Sequence, residues 1–171
     1  MSGTTTPRKA LPTMAEIRQL PCYHRATIGP EHLDTMGHMN IRWYMAFYDE
    51  TAWAFAKTMD MDEAYFRATQ SGLFALQHYI RYMAEVLSGD EVAVYGRLIG
   101  LSASRFLFMG FLVNETQDRV ASTAEALVAF ADMSVRRVAP FPPDVAARMN
   151  DLLARHNALD WEAPLSGIMA A

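Results

Sequence analysis

Asp34-Thr35-Met36-Gly37-His38-Met39-Asn40 runs without a break into Ile41-Arg42-Trp43-Tyr44-Met45-Ala46-Phe47-Tyr48-Asp49-Glu50-Thr51-Ala52-Trp53-Ala54-Phe55-Ala56, and the rest of the chain reads as a frame for it. The first seven residues have loop chemistry. Gly37 supplies backbone freedom, while Asp34, His38 and Asn40 bring polar side chains close together. Asn40 is a favoured N-cap residue. After it, Ile41, Tyr44, Met45, Tyr48, Ala52 and Phe55 recur at helical spacing, and Trp43, Phe47 and Ala54 broaden the stripe. So broad an apolar face predicts a helix buried on most sides. A titratable loop thus opens onto a helix N-terminus, where unpaired N–H groups and a partial positive charge gather. A carboxylate there can attack a carbonyl or activate a water while the amides hold the oxyanion.

Before this stretch, Cys22 to Ile28 reads as a strand ended by Gly29-Pro30, and residues 1–19 read as a flexible tail. After it, Asp62 is placed to cap a short helix, and the acidic run Asp60 to Glu63 suits a solvated helix start better than a metal site. The period then changes to that of strands. Leu73 to Val86, Glu91 to Ile99, Ser104 to Asn114 and Val120 to Val138 alternate with turns at Leu87-Ser88-Gly89-Asp90, Gly100 to Ala103 and Thr116 to Arg119. Gly110, inside the third of these runs, predicts a bulge or the close approach of another backbone. A last helix begins near Pro143 with the stripe Val145, Met149, Leu152, Leu153 and His156, and residues 158–171 read as an irregular tail. Residues 20–157 therefore form one domain of class α+β, a helix followed by an antiparallel run of strands.

Composition narrows the classes. The chain has 171 residues, 51% hydrophobic and 20% charged, with a net charge of −4, so it reads as an ordinary globular domain without nucleic acid as a partner. Cys22 is the single cysteine and has no motif around it, so a reducing compartment is expected. No apolar run is long enough to cross a bilayer, and Met1 to Lys9 lacks the apolar core of a secretory signal. The expected location is the cytoplasm, with no membrane partner. The 12 methionines serve as core filler or as the lining of a pliable pocket.

Asp34-x-x-Gly37-His38-x-Asn40-x-x-x-Tyr44 resembles the loop-and-helix signature of the hotdog-fold acyl-CoA thioesterases of the 4-hydroxybenzoyl-CoA thioesterase type, with Ile41 where that pattern often has a second Asn. Glu85-Val86-Leu87-Ser88-Gly89-Asp90-Glu91-Val92 is similar to the Gly-Asp turn that opens the family's third strand. The resemblance covers about residues 22–143. It implies a five-stranded antiparallel sheet wrapped around one long helix, an acyl-CoA substrate, no cofactor beyond the coenzyme A that the substrate carries, and homodimers or dimers of dimers. It implies that Asp34 is the catalytic carboxylate, as general base or nucleophile; the alternative is an Asp that bonds its own turn. In another branch of the fold the acid lies on the helix, which makes Glu50 the alternative carboxylate. His38, Asn40, Ile41 and Tyr44 are the substrate-positioning candidates.

Each candidate has a second reading. His38 can be a hydrogen-bonded structural residue, Asn40 a cap, and Tyr44 core packing. His32 and His38 lack helical spacing and a third ligand, so no metal is expected. Ser104, Arg105 and Arg136 are candidates for coenzyme A, with Arg97 and Arg137 beside them, because guanidinium suits phosphate. The aromatic residues Trp43, Phe47, Tyr48 and Trp53 suit an aryl group, a quaternary ammonium or simply a core. The alternatives to hydrolysis are acyl-CoA binding without turnover, and a hydratase or dehydratase pairing His38 with Glu50.

Overall fold

The computed structural model describes residues 10–171. In chain order the elements are α1 (Met14–Ile17), β1 (Cys22–Thr27), a 3-10 turn (Pro30–His32), α2 (Ile41–Thr58), α3 (Glu63–Thr69), β2 (Ser71–Tyr82), β3 (Glu91–Leu101), β4 (Arg105–Asn114), β5 (Arg119–Asp132), β6 (Arg137–Val138) and α4 (Pro143–Asn157). Five long strands form one antiparallel sheet in the order β1-β3-β4-β5-β2, and two-residue β6 adds to β5. The last expected strand, Val120 to Val138, is therefore two. Arg136 takes a positive φ of 54° in the turn, which breaks the run and sends β6 back along β5. Among the described residues, no helix is long and apolar enough to cross a membrane.

α2 starts where Asn40 stops being helical: its Oδ1 accepts the Arg42 N–H at 3.1 Å. Tyr44, Phe47, Tyr48, Thr51, Phe55 and Ala56 then face the sheet. Around the first turns of α2 they meet Ile28, Val92, Val94 and Leu112, and around its last turns Leu98, Phe106 and Phe108. α4 adds Val145, Met149 and Leu152 to the second cluster. This is the α+β hotdog arrangement, a sheet with a long helix on its inner face. The helix is not buried on most sides within one chain. Ile41, Met45 and Trp53 are exposed and share a face with Ala52.

Glycine explains how close the layers lie. Gly96 and Gly110 are opposite one another in β3 and β4. A Cβ on Gly110 would stand 2.9 Å from Cε1 of Tyr48, so this glycine admits an aromatic ring from α2. The expected visitor there was another backbone.

Both ends of the described residues pack on the outer face of the sheet. The first nine residues of the expected N-terminal tail lie outside the described residues, but Ile17 and Leu20 are buried with Tyr95, Met109, Phe111 and Trp161. Thr13 and Glu16 close a capping box on α1. Residues 158–171 form no helix or strand, yet they are bound across the sheet. Arg97 donates to the carbonyls of His156 (2.7 Å) and Trp161 (2.8 Å) and stacks 4.3 Å from the Trp161 ring centroid. Arg81 donates to Pro164 O (3.3 Å), and the Ser166 N–H donates to Oε2 of buried Glu125 (2.7 Å).

The sheet has two unlike edges. β1 is short, has a register shift after Cys22 and carries Arg25 and Thr27. β2 is 12 residues long and leaves Phe74, Leu76, Tyr79 and Tyr82 exposed. The first pattern discourages pairing with another strand, and the second invites it.

Candidate active site

The loop before α2 is a miniature hairpin clipped to the segment between β2 and β3. Leu33 bridges Met39, and the Asp34 N–H donates to His38 O at 3.0 Å. Gly37 turns the chain with a φ of 87° and donates to Asp34 O at 3.1 Å. His38 bridges Leu87, and the Met39 N–H donates to Val86 O at 2.7 Å. The Leu87 N–H in turn donates to Oδ2 of Asp90 at 2.9 Å. Asp90 is buried, and the same oxygen accepts from Asn114 Nδ2 at 2.6 Å and Gln117 Nε2 at 3.2 Å.

Within this frame Asp34 and His38 meet. Oδ1 of Asp34 accepts the Met36 N–H at 2.8 Å, and Oδ2 lies 3.2 Å from Nδ1 of His38. Both side chains are about a quarter exposed, at 24% and 28%. The turn bond thus occupies one carboxylate oxygen, and the other is left for the imidazole or a ligand.

Asn40 is committed twice. Its side-chain oxygen caps α2, and its N–H donates to His32 O at 2.9 Å. The expected pair of backbone donors therefore reduces to the Ile41 N–H, with the Asn40 Nδ2 group as a side-chain donor. Tyr44 is buried, with its ring 5.0 Å from Tyr82 and its hydroxyl 3.5 Å from Ala84 O. Burial pushes its pKa up to about 12, so it is a donor at neutral pH. His32 accepts the Gly29 N–H on Nδ1 at 2.8 Å and packs edge-on against Trp43. An imidazole nitrogen that accepts cannot also donate, so the 3.7 Å approach of Glu31 to that atom is no ion pair.

The other candidates fall elsewhere. Glu50 is exposed on α2 and interacts with His24 of β1, so His38 and Glu50 do not form a pair. Its neighbour Asp49 instead lines a cavity. Arg105 opens β4 with Ser104 just before it, and Arg136 lies in the turn after β5, at the end of the sheet where β2 begins. The Asp34 loop sits at the other end of β2, about 35 Å away at the usual rise per residue. Arg97 is buried and anchors the C-terminal segment, so it is withdrawn from any phosphate.

The cavity was not foreseen. It encloses about 360 Å³ between α2 and the strands β2, β4 and β5. Met45, Tyr48, Ala52 and Trp53 wall it on the helix, and Gly110, Ala124, Ala126 and Val128 on the sheet. On α2 its lining begins at Met45, the residue after Tyr44, and Asp34 does not line it. Among the described residues no group of His, Cys, Asp and Glu is arranged to hold a metal ion.

Comparison with known proteins agrees with this layout. Residues 28–149 match the family model of the thioesterase-like superfamily. The betainyl-CoA thioesterase of Pseudomonas aeruginosa is 25% identical over 130 residues, 76% of this chain and 82% of that protein. The L-carnitine dehydrogenase/betainyl-CoA thioesterase of Agrobacterium fabrum is 28% identical over 147 residues, 86% of this chain. The chain spans only 30% of the length of that bifunctional relative. A Staphylococcus aureus protein solved in complex with CoA superimposes with a TM-score of 0.79 at 20% identity, over 89% of this chain and 96% of that one.

Proposed function

The chain belongs to the thioesterase-like superfamily, and we propose that it is an acyl-CoA thioesterase. Water adds across the thioester, giving a carboxylate, free coenzyme A thiol and one proton. The observation that carries this reading is the Asp34–His38 pair at the mouth of α2. Asp34 acts from its Oδ2, either taking a proton from water or attacking the carbonyl to form an anhydride that water opens. His38 holds that oxygen in place. The Ile41 N–H and Asn40 Nδ2 receive the oxyanion, and one such donor is typically worth roughly 3 kcal/mol. No cofactor takes part. The CoA complex of the Staphylococcus aureus neighbour supports binding of the coenzyme A moiety by this fold. The reducing compartment suggested by the lone Cys22 is the cytoplasm.

A second copy of the chain completes the site. Two β2 edges pairing about a two-fold axis run antiparallel, because an isologous contact sets each patch against itself. That operation brings the Asp34 end of one β2 beside the Ser71 end of the other. The partner's Arg105 and the partner's Arg136 then come toward the helix mouth that their own chain keeps far away. The exposed apolar residues of the β2 edge support such a homodimer.

The test is thiol release from a panel of acyl-CoAs by the wild-type protein beside Asp34→Asn. Release that depends on Asp34 is expected. Equal release from both proteins removes Asp34 from the mechanism, and release from neither removes hydrolysis.

A further inference from the structure

We infer that the cavity beside α2 is built for a bulky, uncharged acyl group of about eight to twelve carbons, or an aryl group of that size, rather than for a small charged one. This rests on the thioesterase reading of the neighbouring loop.

Volume is the first argument. An engineered apolar cavity of roughly 150 Å³ accepts benzene. The cavity here, about 360 Å³, is more than twice that size. A trimethylammonium-bearing acyl group, as the name betainyl-CoA implies for the relatives, fills well under half of it. The remainder would be void or poorly bonded water against apolar walls, and unfilled apolar volume is costly.

Wall chemistry is the second. Phe55 packs against Phe106 and Phe108 at the floor, with ring centroids 5.4 and 4.9 Å apart, so the floor is apolar. Thr51 donates to Phe47 O, and Tyr48 donates to Ser122 Oγ, which spends their hydroxyls. The lining holds no lysine or arginine to pair an acyl carboxylate. Its titratable groups are Asp49, which is exposed on α2, and His78, whose pKa burial pushes down. A dicarboxylic acyl end would meet a like charge there, and the one carboxylate a cation would meet, Asp49, is exposed to water.

Small residues are the third. Ala124 and Ala126 lie on β5 facing the cavity, where larger side chains would close the space. Ala126 pairs with His78 on one side and Phe108 on the other, at the centre of the wall.

The experiment compares kcat/KM for acetyl-, butyryl-, decanoyl-, benzoyl-, succinyl- and betainyl-CoA in the wild type and in Ala126→Leu, with Val128→Phe as an independent plug. Decanoyl-CoA is expected to exceed betainyl- and succinyl-CoA at least ten-fold. Each plug is expected to lower the decanoyl-to-butyryl ratio at least ten-fold. Betainyl- or succinyl-CoA as the best substrate, or a ratio that neither plug moves, overturns the inference while hydrolysis stands. If no substrate releases thiol, hydrolysis falls, and calorimetry decides the cavity separately. Tighter binding of the decyl thioether of coenzyme A than of the ethyl thioether, abolished by the plugs, sustains it; equal binding ends it.

Discussion

Nδ1 of His38 lies 3.2 Å from Oδ2 of Asp34, while the other oxygen of Asp34 is held by the Met36 N–H at 2.8 Å. The two oxygens thus differ: one shapes the turn, and the other is the one proposed to react. Asp34→Asn keeps an oxygen for Met36 and loses the base. Thermal unfolding is expected to match wild type, while kcat falls about 10³-fold, within the range for a lost general base. His38→Ala removes only the orienting partner, so a fall of roughly ten-fold is expected, with partial recovery in His38→Gln. A kcat for Asp34→Asn within a factor of three of wild type would sink the assignment.

Asp90 reaches the site through Leu87. Its Oδ2 gathers the Leu87 N–H and the side-chain amides of Asn114 and Gln117. Asp90→Ala leaves these donors without an acceptor in a buried place, and a loss of about 2 to 4 kcal/mol in urea unfolding is expected. Asp90→Asn keeps one acceptor oxygen and is expected to lose less. Because Leu87 bridges His38, kcat should also fall in Asp90→Ala at temperatures where the protein is still folded.

Leu76 is 46% exposed on the free edge of β2 and does not line the cavity. Leu76→Lys puts a charge on that edge, a device that blocks strand pairing. Sedimentation is expected to show monomers, with thiol release lost together with the dimer. Fully active monomers would show that one chain carries a complete site.

His156 predicts a pH dependence of stability. β3 runs past the end of β1, and His156 Nδ1 accepts the Leu98 N–H at 2.9 Å on the edge that β1 leaves bare. Burial, then the nearby Arg97 charge, lowers its pKa to about 4. The unfolded chain therefore binds the proton first. Stability from this group is complete above about pH 6.5 and drains away as pH falls toward 4, by up to about 3 kcal/mol. Urea midpoints at pH 7.5 and 4.5 test it, and His156→Gln should show a smaller drop between those two pH values.

The periodicity of residues 41–56 and the turn residues between strands made the helix and the strands legible, but the expected succession did not show that β2 pairs with β5 and not with β3. The closeness of Asp34 and His38 was legible too, because His38 follows Asp34 by four positions with Gly37 between them. What lay beyond reach were relations between segments distant in the chain. Gly110 announced a close approach, but nothing in its own run named Tyr48 as the visitor. Arg97 and Arg105 look alike as arginines on strands, yet the fold turns one to the C-terminal segment and leaves the other exposed at the start of β4. The cavity is a difference in side-chain size between three strands and a helix, and no single stretch records it. The tail that reads as irregular holds Trp161, whose partners Phe111 and Arg97 lie far off in the chain.

The C-terminal segment has a practical consequence. Its last residue, Ala171, ends against Gly100 of β3, behind the sheet from α2. A dye, bead or electrode joined to that residue would hold the protein by its back. The mouth of α2 and the β2 edge would face outward, so immobilised molecules should keep their access to ligand and to a second copy.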